Sequence, residues 1–182
     1  MKERTDIELW RSIKNGDVAT FEYVYLAYYK DLYYYGLKLS HEPNVTEDCI
    51  HDLFVQLWSS KTTINDVHSI KPYLIKCFRR RLLTMLTQDL HTVDYEKISM
   101  RDGHRHHQSA EDALISVEYK VEAKVKLSSA MDRLTRRQRE AIHLKFLMGL
   151  DYDEICTVMN LQYQTVRNLI CESIKAMKII IE

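Results

Sequence analysis

Apolar residues recur at helical spacing along most of the chain, and polar turn signals separate the runs. Residues 6–14 (DIELWRSIK) place Ile7, Trp10 and Ile13 on one helical face, with Asp6 as the expected cap. Asn15-Gly16 ends that helix, and Asp17 caps the next, expected over Val18 to Leu39. Phe21, Tyr25, Tyr28, Leu32, Tyr35 and Leu39 form its core face. Tyr23, Tyr29, Tyr33 and Tyr34 fall to the sides, where a phenol tolerates a wet edge. A loop from His41 to Val45 surrounds Pro43, and Asn44 or Thr46 then caps a helix over Glu47 to Trp58. Ile50, Leu53, Phe54 and Leu57 make its buried stripe, while Asp48, His51, Asp52, Val55, Gln56 and Ser59 make its other face. An exposed valine among acids and amides suits a protein-docking surface, although a plain solvated face has the same make-up.

Lys61 to Ile70 is polar and reads as a loop. From Lys71 to Arg81 the chain carries Lys71, Lys76, Arg79, Arg80 and Arg81 and no acid. Tyr73, Leu74, Cys77 and Phe78 interleave, and Leu82, Leu83 and Leu86 continue the apolar set. This is a basic amphipathic helix with Pro72 in its first turn. Its charges suit phosphates and its aromatics suit unstacked bases; a solvated basic face or a membrane-surface helix has the same pattern. Three successive arginines span much of a helix circumference, so at least one must point inward or into a groove. Residues 88–109 lose periodicity and collect charge, histidine and serine, as a flexible linker does. Ser109 then caps a helix carrying Leu114, Val117, Val121 and Val125.

Two helix starts follow at close spacing. Thr135 and Gln138 form a capping box, Ile142, Leu144, Lys145 and Phe146 continue that helix, and Gly149 ends it in a left-handed conformation. Asp151 and Glu154 open a second helix with Ile155, Val158 and Met159 on one face, and Asn160 makes the turn at positive φ. A third helix runs from about Tyr163, burying Val166, Leu169, Ile170, Ile174 and Met177. Two short helices joined by a tight turn describe a helix-turn-helix. The outer face of the last helix carries Tyr163, Gln164, Arg167, Asn168 and Lys175. Gln and Asn bond adenine edges and Arg bonds guanine, whereas an inert face is more often rich in Glu and Lys pairs.

Composition narrows the picture. With 182 residues the chain is long enough for one good core or two small ones, and four glycines and two prolines suit an all-α protein rather than a turn-rich β fold. Lysine plus arginine (26) equals aspartate plus glutamate (26), so DNA contact needs help from a partner. Cys49, Cys77, Cys156 and Cys171 are far apart, form no CxxC pair and are expected as reduced, buried thiols in a cytoplasmic protein. No signal peptide or apolar run of membrane length is visible, and Ile179-Ile180-Ile181 is expected as a last packed turn. His104, His106 and His107 lack a scaffold and a nearby cysteine, so a surface loop is preferred to a zinc site. His143 reads as packed rather than catalytic. There is no Gly-rich phosphate loop, GxSxG or paired catalytic carboxylate motif, and neither enzyme activity nor a cofactor is expected.

Taken together, TFEYVYLAYYKDLYYYGLKL, EDCIHDLFVQLW, a basic helix, a linker and LTRRQREAI…DYDEICTVMNLQYQTVRN resemble bacterial RNA polymerase sigma factors. The likeness is to the small extracytoplasmic-function group, which keeps the sigma-two and sigma-four domains. It implies a sigma-two-like helical bundle over 1–87, a flexible linker over 88–109 and a sigma-four-like helix-turn-helix domain over 110–182. It further implies that Asp48, His51, Asp52, Val55 and Gln56 grip the clamp of the polymerase large subunit, with the flap of the second-largest subunit as a further contact. The loop Lys61 to Ile70 and the basic helix, with Lys71, Tyr73, Lys76, Arg79 and Arg80, would melt and read the minus-ten promoter element. Tyr163, Gln164, Arg167, Asn168 and Lys175 would enter the major groove at the minus-thirty-five element. His51 departs from a common glutamine, Arg80 and Thr84 from an asparagine and an aspartate, and Asn160 from the usual glycine of the turn. Core polymerase, promoter DNA and an anti-sigma factor are the implied partners of a chain that is monomeric when free and does not insert in membranes. Two alternatives stay open: a LuxR-type regulator with a helical N-terminal domain, and a helical interaction protein that titrates an anti-sigma factor.

Overall fold

The computed structural model of the chain describes residues 4–88 and 126–181. Among them the regular structure is helical, with no strand. The expected linker, the His104, His106 and His107 group and the helix begun by Ser109 lie outside the described residues. The described residues divide into two compact units: residues 4–88 with Asp153–Leu161, and residues 126–152 with 162–181.

In the first unit α1 (Asp6–Lys14), α2 (Val18–Ser40), α3 (Pro43–Ser59) and α4 (Ile70–Gln88) enclose one core. Leu9, Trp10, Ile13, Val24, Leu32, Tyr35, Ile50, Leu53, Phe54, Leu57, Leu74, Phe78 and Leu82 are buried there. Thr5, not Asp6, caps α1: its hydroxyl accepts from the Glu8 N–H while the Glu8 carboxylate accepts from the Thr5 N–H at 2.8 Å. Asp6 falls inside the first turn and reaches across to α4. Ile7 faces outward, and Leu9 takes its expected place in the core.

On α2, Leu32 and Tyr35 are buried as expected, but Phe21, Tyr25 and Tyr28 are only half-buried. The tight seam goes to smaller residues instead, Thr20, Val24 and Gly36, and the large rings pack along its rim. Phe21 and Tyr25 both meet Phe54 edge-on, at 5.9 and 4.8 Å between centroids. The third helix begins at Pro43, four residues earlier than expected. Proline suits a first turn because its missing N–H would be an orphan there. Neither Asn44 nor Thr46 is therefore a cap; Thr46 is buried and its hydroxyl donates to the Glu42 carbonyl at 2.9 Å.

In the second unit residues 126–132 are helical, and α5 (Arg136–Ile142) packs on α7 (Tyr163–Ile181). The expected capping box is present, Thr135 N–H donating to Gln138 Oε1 at 3.0 Å. After Ile142 the helix widens into a π-helical turn, His143–Leu147, which tips Phe146 and Leu147 into solvent at 61% and 66% exposure. Gly149 is left-handed as expected, at φ 71°. Arg139 closes the preceding helix, its guanidinium donating to the carbonyls of Met131 (3.0 Å) and Leu134 (3.2 Å). On α7 the seam is Val166, Ile170 and Ser173; Ile174 is exposed, because a small serine already fills the position of closest approach. Ile179 is 83% exposed and does not pack as expected, while Ile180 is half-buried.

The short helix α6 (Tyr152–Met159) buries Ile155, Val158 and Met159 as expected. None of the four cysteines is in a disulfide; Cys49 is buried as expected, whereas Cys77 and Cys156 are only half-buried and Cys171 is exposed, contrary to expectation. Cys171 sits one helical turn beyond Arg167, on the outer side of α7.

Candidate functional site

Three surfaces hold the residues singled out in the sequence. The first is the outer face of α3. Its buried stripe of Ile50, Leu53, Phe54 and Leu57 forces Asp48, His51, Asp52, Val55 and Gln56 outward, and all five are exposed. Val55 is 50% exposed, an apolar side chain bracketed by polar ones. One guanidinium reaches this face from the neighbouring helix: Arg81 Nη1 donates to Gln56 Oε1 at 2.6 Å, and Nη2 lies 3.3 Å from Asp52 Oδ2. Of the three successive arginines, Arg81 is therefore one committed inside the molecule. Sequence reasoning missed this, because helical spacing gives a residue's angle on its own helix and not the identity of the neighbour it meets.

The second surface is α4 with the segment before it. Lys76 and Arg80 are exposed one turn apart, and Arg79 is half-buried. Lys71 is spent on α2, its Nζ 2.8 Å from Asp31 Oδ2. The Tyr73 ring packs edge-on against Trp10 at 5.0 Å. Burial first, and then the neighbouring Cys77, push the Tyr73 phenol up to about 12, so it stays a neutral hydroxyl at any working pH. The side chains free to meet a polyanion here are therefore Lys76 and Arg80, with the loop residues Thr62, Thr63, Asn65, Asp66 and His68 also exposed.

The third surface is the outer face of α7. Asn160 turns the chain at φ 54°, and the Val166 N–H then bonds the Gln162 carbonyl at 3.1 Å as the helix opens. Tyr163, Gln164, Arg167, Asn168 and Lys175 are all exposed. Gln164 Nε2 donates to Asn168 Oδ1 at 2.9 Å. The two amides thus hold each other, and the atoms left over, the Gln164 carbonyl and the Asn168 NH2 group, are an acceptor and a donor, the kinds of function that pair with an adenine edge. Tyr163 leans on Tyr152 at 5.7 Å, and Lys145 Nζ sits 4.9 Å from the Tyr152 ring centre.

Among the described residues no group of three or more His, Cys, Asp and Glu side chains is placed to hold a metal ion. His143 is buried within the π turn. Among the described residues no helix is long and apolar enough to cross a membrane.

The chain is similar to known proteins in both sequence and fold. Residues 124–177 match the family described as "Sigma-70, region 4". Over 166 residues the chain is 24% identical to the ECF RNA polymerase sigma factor SigX of Bacillus subtilis strain 168, covering 87% of this chain and 82% of that protein. It is 22% identical over 159 residues to SigM of the same organism, covering 87% and 93%. Its fold is that of CnrH, solved in complex with the cytosolic domain of CnrY, with a TM-score of 0.64 and 15% identity over 95% of this chain and 94% of that one. It is also that of the sigma factor RpoE from Bartonella quintana, solved with the anti-sigma factor NepR, with a TM-score of 0.62 and 16% identity over 90% and 97%.

Proposed function

We infer that this chain, an extracytoplasmic-function sigma factor by its relatives and by its region 4, directs core RNA polymerase to promoters and opens them, without catalysing a reaction of its own. In this reading residues 1–87 dock on polymerase and meet the minus-ten element, residues 88–109 link, and residues 110–182 meet the minus-thirty-five element. The exposed face of α3 takes the clamp of the large subunit, and the second unit takes the flap of the second-largest one. Lys76 and Arg80 supply contacts to melted DNA, with Arg79, Lys71 and Tyr73 behind them. Gln164, Arg167 and Asn168 read base edges upstream, flanked by Tyr163 and Lys175. The free chain is monomeric and cytoplasmic, and an anti-sigma factor binds it, a partner supported by the likeness to RpoE, which is solved in complex with the anti-sigma factor NepR.

The observation that carries this reading is the row on α7. An amide pair locked at 2.9 Å and an exposed arginine project from a helix entered through a left-handed turn. That is a reader of base edges, not a general solvated face. Arg167→Ala, assayed as holoenzyme on promoters changed one upstream base pair at a time, should lose roughly 1–3 kcal/mol on the native sequence. The defect should vanish at one position. A uniform loss across all promoters, with a flatter salt dependence, would instead make Arg167 a phosphate anchor.

A further inference from the structure

The function just proposed leaves α1 without a role, yet α1 holds the segment between α3 and α4 at several separate points. Trp10, 1% exposed, donates its indole N–H to the Asn65 carbonyl at 3.0 Å. Lys14 Nζ lies 2.7 Å from Asp66 Oδ1 on the next residue. Asp6 Oδ2 accepts from the N–H of Ile70 at 2.7 Å, one of the orphan donors that open α4. The Trp10 ring also meets Tyr73 edge-on in the first turn of α4. The earlier part of the segment folds on the end of α3, the N–H groups of Thr63 and Ile64 both bonding the Ser60 carbonyl at 2.9 and 3.1 Å. Thr62, Thr63, Asn65, Asp66 and His68 nevertheless stay exposed.

We propose that α1 is a brace for this segment, and that Asp6, Trp10 and Lys14 are positioning residues for minus-ten recognition. The inference rests on the reading that Lys61 to Ile70 faces the minus-ten element. A loop that grips an unstacked base must either arrive ordered or lose conformational entropy on contact. Here the order is built in beforehand. A carbonyl in mid-loop is tied to a buried indole, and the start of the following helix is tied to a carboxylate of the same brace. The segment is thereby held in one geometry with its side chains turned outward. Neither its middle nor the start of α4 can shift without breaking a contact to α1.

The test uses full-length variants assembled with core polymerase. Trp10→Phe keeps an aromatic ring in the core but removes the N–H donor together with part of the indole, so its thermal stability is measured alongside. Lys14→Asp reverses one surface charge, and Lys14→Asp with Asp66→Lys restores the pair in the opposite sense. Promoters altered one minus-ten base at a time provide the readout, as the ratio of open complexes on native and altered sequence. Trp10→Phe should reduce that ratio roughly tenfold, in line with the loss of one buried hydrogen bond. Lys14→Asp should reduce it about threefold, and the double swap should recover it. Core binding and helicity should be unchanged throughout. If thermal stability falls in these variants while discrimination between bases is intact, α1 is only a packing element and the brace is refuted. A Thr62→Ala, His68→Ala double variant separates the premises. Should it alter discrimination while the α1 variants do not, the brace alone fails; should it too leave discrimination untouched, the minus-ten reading of the segment fails and takes the brace with it.

Discussion

Gly36 lies where α2 meets both α3 and α4. A Cβ there would stand 2.8 Å from Phe78 Cζ and would also collide with the Thr46 methyl group. Phe78 and Thr46 are both buried, so neither has room to yield. Gly36→Ala is therefore expected to destabilise the first unit by about 1–3 kcal/mol, despite alanine's better helix propensity. Urea unfolding should show a lower midpoint with an unchanged slope; equal or greater stability would mean that the three helices can separate at no cost. The residue scale is also where the sequence was least legible. Helical spacing assigned the seam of α2 to Phe21, Tyr25 and Tyr28, because large apolar residues are taken to mark the core. Close approach of helices selects for small ones, and Gly36 and Thr20 carry no such mark. Cys49 and Cys171 make the same point from opposite sides. Burial pushes the Cys49 thiol up to about 12, while Cys171 stands exposed, and nothing local in the sequence separates the two.

Elements were more legible than their residues. The helices of the described residues follow the periodicity, and the Thr135 capping box and the turns at Gly149 and Asn160 sit where their residue types predicted. Three features escaped. Pro43 reads as a loop residue but starts α3. The π-helical turn at His143–Leu147 has no sequence signature and puts Phe146 in water. Asp6 has the chemistry of a cap, and is one, for a helix 64 positions away. The outer face of α3 was legible in full as an exposed face. Its link to Arg81 was not, and that link bears on how the face works. Arg81 neutralises part of what Asp52 offers and orders Gln56 before a partner arrives. Asp52→Arg with Gln56→Ala removes both acceptors and places a like charge against Arg81. Co-purification with core polymerase should then fall at least tenfold, while the circular dichroism spectrum is retained. If co-purification is unchanged, polymerase docks elsewhere.

At the scale of the whole molecule the informative number is a net charge of zero, from 26 basic and 26 acidic residues. Affinity for DNA comes largely from counterions released by cations at phosphates, so a neutral chain holds DNA weakly by itself. Several of its cations are already committed: Lys71 to Asp31, Lys14 to Asp66 and Arg81 to Asp52. In the proposed reading the bases are met by a few side chains, Lys76 and Arg80 on α4 and Gln164, Arg167 and Asn168 on α7. Such a set is useful when a larger assembly supplies the phosphate contacts and holds both units in place. A LuxR-type regulator would need the opposite economy, with the free protein binding DNA tightly as a dimer. Run-off transcription with purified core polymerase decides between them. Adding this chain should give transcripts from discrete start sites on a promoter of its own regulon, and altering either the minus-ten or the minus-thirty-five element should abolish them. No start sites above core polymerase alone, together with tight sequence-specific binding of the free protein as a dimer, would contradict the account.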